Sequence, residues 1–229
     1  MKPFLYAALA GYVVAATHAV LSFVSKRRAA ERLTLYATAL GFAAHTGSII
    51  VDWARDGHYP LFSTTEALSF LAWTLVVAFF LVTYRYPLRA LGAFLLPAVA
   101  LVVLGSQLVS PDPGKDPISV TGGSGSWLFP VHVTLLLFGY AAFFVAFAAS
   151  VIYLWQEREL RLKKFSAVFH RLPSLTTVDD VASTAASVGF TLLTLGIVTG
   201  VIWSRARSVR MFHNDPTEFF ARAWTRSWT

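Results

Sequence analysis

Six histidines offer the most chemistry of any side chains in this sequence. Two of them, His45 in GFAAHTGS and His132 in LFPVHVTLL, stand inside apolar runs, where an ionisable group is costly and therefore a functional candidate. Neutral imidazole is a good axial ligand for haem iron, and an apolar helix bundle suits a porphyrin. In a second interpretation each ring only hydrogen-bonds a backbone carbonyl or a neighbouring helix. Spacing alone leaves both interpretations open.

The other four histidines are weaker candidates. His18 lies within the first apolar run, where packing is the simpler explanation, and His170 lies in a basic segment that favours solvation. His58 belongs to a loop that can face either a ligand or water. His213 is part of FHNDPTEFF (212–220), a polar cluster between phenylalanines just past the last apolar run.

Three carboxylates near the ends of apolar runs fit a structural role as well as a binding role. Glu66 follows Ser63 and Thr64, either of which can cap a helix, and an acid in the first turn favours the helix dipole. Asp215 and Glu218 lie in NDPTE, which is a good helix start because a proline follows the capping residues. The helix-start interpretation is the favoured one.

Several classes of site are excluded by motifs that the sequence lacks. It has no Walker loop, no HExxH and no GxSxG. It contains no cysteine, so it can form no disulfide, thiolate metal site or thiol redox centre. Because CxxCH is absent too, the chain is not itself a c-type cytochrome.

The composition is that of a membrane protein. Of the 229 residues, 56% are hydrophobic and 14% are charged, whereas a soluble domain carries about 25% charged residues. The apolar residues form blocks long enough to cross a hydrocarbon core of about 30 Å. The net charge of +7 is explained by lysines and arginines collected in cytoplasmic loops, so nucleic acid is not an expected partner.

The predicted fold class is all-α, a polytopic transmembrane helix bundle. Hydrocarbon offers backbone groups no partner, so each span is expected to be a helix. Six spans are predicted, at about 3–24, 33–53, 66–83, 89–108, 127–154 and 181–203. Together they form a single transmembrane domain over residues 1–229, with an outer-face tail at 204–229.

Loop charges predict the orientation of the bundle. The first, third and fifth loops hold 11 of the 19 lysines and arginines, namely Lys26, Arg27, Arg28, Arg32, Arg85, Arg89, Arg158, Arg161, Lys163, Lys164 and Arg171. The opposite side has Lys2, Arg55, Lys115 and the arginines of the tail. The positive-inside rule therefore places both termini outside, although the arginines of the tail run against it.

Three stretches, taken in order, resemble the CcsA-type cytochrome c assembly proteins, a group that includes the HemX-like membrane proteins. HTGSIIVDWARDGHYPLFSTTEALSFLAW (45–73) is similar to the family's histidine-bearing second span, outer loop and glutamate-led third span. Residues 127–164 resemble its outer histidine and the span that ends in a basic segment. Residues 172–203 resemble the stretch that leads to its tryptophan-rich signature.

The signature itself has diverged in this chain. In the family it has the form WGxYWxWDPKE and handles haem, and here Trp203 and DPTE (215–218) stand at the matching separation. Ser208, Phe212 and Asn214 replace tryptophans, Val209 replaces the glycine and Thr217 replaces the lysine. FHNDPTEFF thus resembles a divergent haem-presenting segment, and an end without function is the alternative. The resemblance also implies later spans, beyond Thr229, that carry a histidine partner for each candidate ligand.

The resemblance implies a haem-handling protein of cytochrome c biogenesis in the bacterial inner membrane. Haem b would be held near His45 and presented outside near His132 for attachment to apocytochrome c. The residues expected at these cofactor sites are His45, His132, Trp127, Trp203, Phe212, Asp215, Glu218 and Glu66.

The partners implied by the resemblance are haem, apocytochrome c, other cytochrome c assembly membrane proteins and membrane lipid. Whether the chain forms part of a cytochrome c haem lyase (synthetase) complex stays open. The alternative function is that of a HemX-like accessory or regulatory membrane protein, which scaffolds a partner without transferring haem. The substitutions in the signature favour this alternative.

Overall fold

A computed structural model describes residues 3–24, 28–57, 59, 61, 63–86, 89–109, 127–163 and 172–206. Within these ranges the regular elements are six α-helices: α1 Pro3–Val24, α2 Arg28–Asp56, α3 Thr64–Arg85, α4 Arg89–Leu108, α5 Leu128–Arg161 and α6 Leu175–Ala206. All six are long and apolar enough to cross a membrane. The predicted fold class is confirmed, while the orientation of the termini stays a prediction.

The largest differences from the predicted spans lie at the connection between α5 and α6. The fifth span predicted from hydropathy ends at residue 154, whereas helix α5 continues to Arg161. An ion pair between Glu157 and Arg161 (2.6 Å) stabilises its last turn. At the start of α6 the hydroxyl of Ser174 accepts from the backbone N–H of Thr177 (3.2 Å) and caps the helix. Polar residues lengthen both helices, because helix formation does not require apolar side chains.

The core of the bundle is shared by α1, α3, α4 and α5. Fully buried side chains of these helices include Leu5, Ala15, Val76, Leu91, Leu95, Val99, Val103, Val145 and Ile152. Helix α2 packs along α1 and makes few contacts with α3, whereas α6 packs along α5. The bundle thus has two flanks, the α1–α2 flank and the α5–α6 flank. Each flank carries one of the two candidate histidines.

The two flanks meet at one end of the bundle, through the loop between α2 and α3. The hydroxyls of Tyr59 in this loop and Thr134 near the start of α5 lie 3.4 Å apart. Leu61, in the same loop, is buried against Phe70 and Leu137. The end of α2 and the start of α5 therefore lie at the same end of the bundle.

Candidate functional site

Helices α1 and α2 approach closely at a pair of glycines. A Cβ atom added at Gly11 would lie 2.9 Å from the Cα of Gly41, so the two backbones touch there. Small residues allow such close approach between helices in a membrane. One residue after Gly11, the ring of Tyr12 packs over Gly41, at 3.1 Å from where its Cβ would be. This contact holds the side chain of Tyr12 in place beside His45.

His45 is fully buried, and both of its ring nitrogens have a hydrogen-bond partner. Its Nδ1 lies 3.2 Å from the hydroxyl of Tyr12 on α1, and its Nε2 lies 2.9 Å from the hydroxyl of Ser69 on α3. The Tyr12 and His45 rings also meet edge to face, with centroids 5.8 Å apart. We call Tyr12, His45 and Ser69 the His45 pocket. It connects three helices through side chains alone.

Aromatic rings fill the space between α2 and α3 beside this pocket. Trp73 stacks on Phe42 and on Phe70, with 5.4 Å between ring centroids in both pairs. Its indole N–H donates to the hydroxyl of Thr46 (2.9 Å). Phe42, Thr46 and Trp73 are half-buried, so this aromatic cluster reaches the surface of the bundle. Ser69, also half-buried, stands one turn before Trp73 and covers Nε2 of His45 on this side.

His132 lies against the backbone of α6, in a notch formed by two glycines. Its Nδ1 lies 2.6 Å from the carbonyl oxygen of Gly196. A Cβ atom at Gly200 would lie 2.5 Å from the ring's Cε1, so the imidazole occupies the space that any larger residue would fill. We call His132, Gly196 and Gly200 the His132 notch. The spacing of its glycines is the GxxxG pattern that brings membrane helices together.

The hydrogen bond to Gly196 fixes the tautomer of a neutral His132, that is, which ring nitrogen carries the proton. A carbonyl only accepts hydrogen bonds, so Nδ1 carries the proton and donates it. The lone pair of a neutral ring is then on Nε2, as in histidines that ligate metals through Nε2. Among the described residues, no hydrogen-bond partner of Nε2 is found. His132 is half-buried, so this nitrogen is not sealed inside the core.

Both tryptophans predicted at the site lie at the same end of the α5–α6 flank as His132. Trp203 on α6 is close to one turn beyond Gly200, and its ring meets that of Phe129 on α5 with 5.2 Å between centroids. Trp127 stands just before α5 and is 70% exposed. The structure thus brings Trp203 and Phe129 to the end of the flank that carries the His132 notch.

The two histidines have separate hydrogen-bond partners among the described residues. The partners of His45 lie on α1 and α3, whereas the partner of His132 lies on α6. Within the described part of the chain, no group of three or more His, Cys, Asp or Glu side chains is placed to hold a metal ion. Each histidine therefore defines a separate candidate site.

Glu66 takes the structural role that its position favours. The hydroxyl of Ser63 accepts from the backbone N–H of Glu66, and the Glu66 carboxylate accepts from the N–H of Ser63, both at 3.2 Å. This reciprocal pair is a capping box at the start of α3. A ligand role for Glu66 stays a prediction. Phe212, Asp215 and Glu218 lie outside the described residues, as do His58, His170 and His213.

Sequence reasoning missed the residues that surround the two imidazoles. Gly196 and Gly200 had a readable signal, because GxxxG in an apolar span indicates close helix contact. Tyr12 and Ser69 had none, since neither is near His45 in the sequence and each is an ordinary residue in a span. Only the packing of α1 and α3 against α2 places them beside the ring.

The two histidines differ in how well they fit the axial position of a haem. His132 fits as it stands, because its Nδ1–H donates a hydrogen bond to a carbonyl and its Nε2 keeps the lone pair that would bind iron. His45 does not fit as the helices are packed, because it is fully buried and Ser69 of α3 lies 2.9 Å from its Nε2, where iron would bind. The rings beside it, Phe42, Phe70 and Trp73, are stacked on one another.

Six apolar helices with an imidazole packed on each flank define a multi-pass helical membrane protein with two separate candidate ligand sites. The family model described as Cytochrome C assembly protein matches residues 61–221, which is more than half of the chain. The chain therefore belongs to the cytochrome C assembly protein family.

Named relatives match most of the chain. It is 29% identical over 183 residues to Protein HemX of Brevibacillus brevis, covering 80% of this chain and 66% of that protein. It is 24% identical over 193 residues to Protein HemX of Bacillus subtilis (strain 168), covering 84% and 69%. It is 27% identical over 205 residues to Cytochrome c biogenesis protein CcsA of Guillardia theta, covering 77% and 68%. The chain thus spans about two thirds of the length of these relatives, and no solved structure matches it.

Proposed function

We propose that this chain is a haem-handling membrane protein of cytochrome c biogenesis. It binds haem b between its helices and presents it on the outer face of the bacterial inner membrane for attachment to apocytochrome c. His132 is the outer ligand and His45 the inner one. Membership of the cytochrome C assembly family and the relative named Cytochrome c biogenesis protein CcsA support the pathway.

The observation that carries this proposal is the geometry of the His132 notch. The Nδ1–H of His132 donates to Gly196, which leaves Nε2 as a ligand atom with a fixed direction. The glycines hold the ring against the α6 backbone, and the Phe129–Trp203 pair adds aromatic surface at the same end of the flank. Iron bound at Nε2 would therefore be held at a half-buried position from which haem can reach a partner protein.

Haem titration of the purified protein tests this function. Haemin added to the protein in detergent should produce the Soret band of ligated haem, and His132→Ala should lower the affinity by at least about tenfold, the loss expected even for removal of a ligand's outer partner. His18→Ala is the matched control, since His18 is a half-buried histidine of α1 outside both sites. A wild-type protein that binds no haemin, or a His132→Ala protein that binds it as tightly as the control, would contradict the proposal.

A scaffold that does not transfer haem is the second candidate function. The substitutions Ser208, Phe212 and Asn214 in the tryptophan-rich signature favour it, as do the relatives named Protein HemX. Purification from native membranes separates the two functions. Haem-dependent recovery of apocytochrome c supports transfer, whereas recovery of haem-synthesis enzymes with a haem-free chain supports the scaffold.

A further inference from the structure

We propose that the hydroxyl of Thr199 competes with His132 for the carbonyl of Gly196 and so makes the hold on this ring reversible. Thr199 is then a positioning residue, which acts on His132 through the backbone of α6. The inference rests on the proposed function, because a protein that presents a cofactor must also release it. It goes beyond that function by naming the residue that regulates the release.

Thr199 differs from its neighbours on α6 in the carbonyls that its hydroxyl reaches. The hydroxyls of Thr191 and Thr194 donate to the carbonyl four residues earlier, at 2.9 and 2.8 Å. Such bonds are usual for hydroxyls in a helix. The hydroxyl of Thr199 reaches two carbonyls at nearly equal distance, that of Leu195 at 2.9 Å and that of Gly196 at 2.8 Å. Because a hydroxyl has one proton, it donates fully to only one of them at a time.

The carbonyl of Gly196 is the acceptor that Thr199 and His132 share. Helical geometry directs the backbone N–H of Gly200 at this oxygen, and Nδ1 of His132 lies 2.6 Å from it. A carbonyl oxygen has two lone pairs, so these two donors occupy it. While the ring is in the His132 notch, the hydroxyl of Thr199 therefore donates to Leu195, whose carbonyl has a lone pair left beside its helical bond.

Thr199 can replace the ring without moving any heavier atom. Gly196 is buried, and leaving a buried acceptor without its donor is costly. When His132 leaves the notch, the hydroxyl of Thr199 is already 2.8 Å from the carbonyl, and only its proton has to turn from Leu195 to Gly196. The same competition weakens the bond of the ring while it is in place. The structure thus favours a hold on His132 that is weaker than the notch alone would give.

The strength of this hold bears directly on a metal bound at Nε2. The partner of the other ring nitrogen orients a histidine ligand and raises its basicity. A ring that is held more tightly by Gly196 is therefore a stronger ligand and releases its metal more slowly. Removing the hydroxyl of Thr199 should have this effect.

The first test uses haem-free protein. Thr199→Val removes the hydroxyl but keeps the size and branching of the side chain. The Nδ1 proton of His132, identified in nuclear magnetic resonance spectra by its loss in His132→Ala, should move downfield in this variant, because a stronger hydrogen bond deshields its proton. Thr199→Ser keeps the hydroxyl and should match wild type. Thr194→Val, which removes a hydroxyl bonded to Phe190 on the exposed face of α6, is the control.

The second test measures release from protein loaded with haemin. Transfer of the haem to excess apomyoglobin should be about threefold slower in Thr199→Val, the effect expected when one competing hydrogen bond is removed. The reduction potential of the bound haem should fall, because a more basic imidazole stabilises ferric iron. Thr199→Ser and Thr194→Val should leave the transfer rate and the potential unchanged.

The outcomes separate this inference from the proposed function. If Thr199→Val matches its control in the proton resonance or in the transfer rate, or if Thr199→Ser departs from wild type as far as Thr199→Val does, the inference is wrong while haem binding at His132 stands. If wild-type protein binds no haem, the proposed function fails, and the proton resonance of haem-free protein still decides whether Thr199 competes for Gly196.

Discussion

The α1–α2 flank and the α5–α6 flank hold their histidines by different means. On the α1–α2 flank, side chains from two other helices engage both nitrogens of His45, which is fully buried. On the α5–α6 flank, the backbone of a single helix engages one nitrogen of His132, which is half-buried. The first arrangement is closed and depends on three helices, while the second is open and depends on two.

This difference shows that a histidine in a membrane span is not by itself a ligand site. Both rings lie in apolar helices, and both were equal candidates as far as spacing was concerned. The two rings differ in whether Nε2 is available to bind a metal, and the hydrogen-bond partners of each ring determine this. A carbonyl partner leaves the second nitrogen for a metal, whereas a hydroxyl partner on each nitrogen requires one of them to leave first.

The largest expected effect comes from forcing the α1–α2 flank apart. Gly11→Val places a branched side chain where even a Cβ would lie 2.9 Å from the Cα of Gly41, so the helices must separate. We expect a loss of about 3 kcal/mol in the free energy of unfolding, the upper part of the range for overpacked sites. Contact between Tyr12 and His45 should be lost with it. Unfolding in mixed detergent measures the stability.

Gly47→Val on α2 is the control, because a Cβ at Gly47 meets nothing within 4 Å. Haem binding that depends on His45 should disappear in the Gly11 variant, and binding that depends on His132 should persist in the fraction that folds. Equal stability of the two variants would show that α1 and α2 do not touch at Gly11.

The next largest effect is expected at the His132 notch. Gly200→Ala puts a methyl group 2.5 Å from Cε1 of His132, so the ring must leave the notch and lose its bond to Gly196. Only a side chain has to move, so we expect little change in stability but a loss of about tenfold in haem affinity, as for other partners that orient a ligand. Haemin titration measures it. Gly105→Ala, where nothing lies within 4 Å, is the control, and unchanged binding in Gly200→Ala would refute the role of the notch.

The sequence predicted the helices well and their contacts poorly. All six spans were found because apolar blocks of membrane length have one stable form in hydrocarbon. Helices α5 and α6 extend beyond the predicted membrane spans, since their polar turns are helical but carry no hydropathy signal. A cap at Ser63 or Thr64 was predicted, because capping signals are local in sequence, and the structure has it at Ser63. The bonds of His45 to Tyr12 and Ser69 were not, because they depend on how three helices pack.

The smallest expected effect compares one aromatic pair on each flank. Phe42 stacks on Trp73 beside the His45 pocket, and Phe129 meets Trp203 at the end that carries the His132 notch. Replacing either phenylalanine with leucine keeps an apolar side chain and removes an aromatic contact of about 0.5–1.5 kcal/mol. If each pair supports only the site on its own flank, Phe42→Leu should weaken haem binding about threefold in His132→Ala protein and leave it unchanged in His45→Ala protein.

Phe129→Leu should show the reverse pattern. Haemin titration of the four double variants measures both effects, and Phe147→Leu, at a 62% exposed position on α5, controls for the loss of a ring that faces the surroundings of the bundle. An equal loss in both backgrounds for either variant would mean that the two histidines hold one shared haem. Because the hydrogen-bond partners of the two rings lie on different helices, we expect the losses to separate by flank.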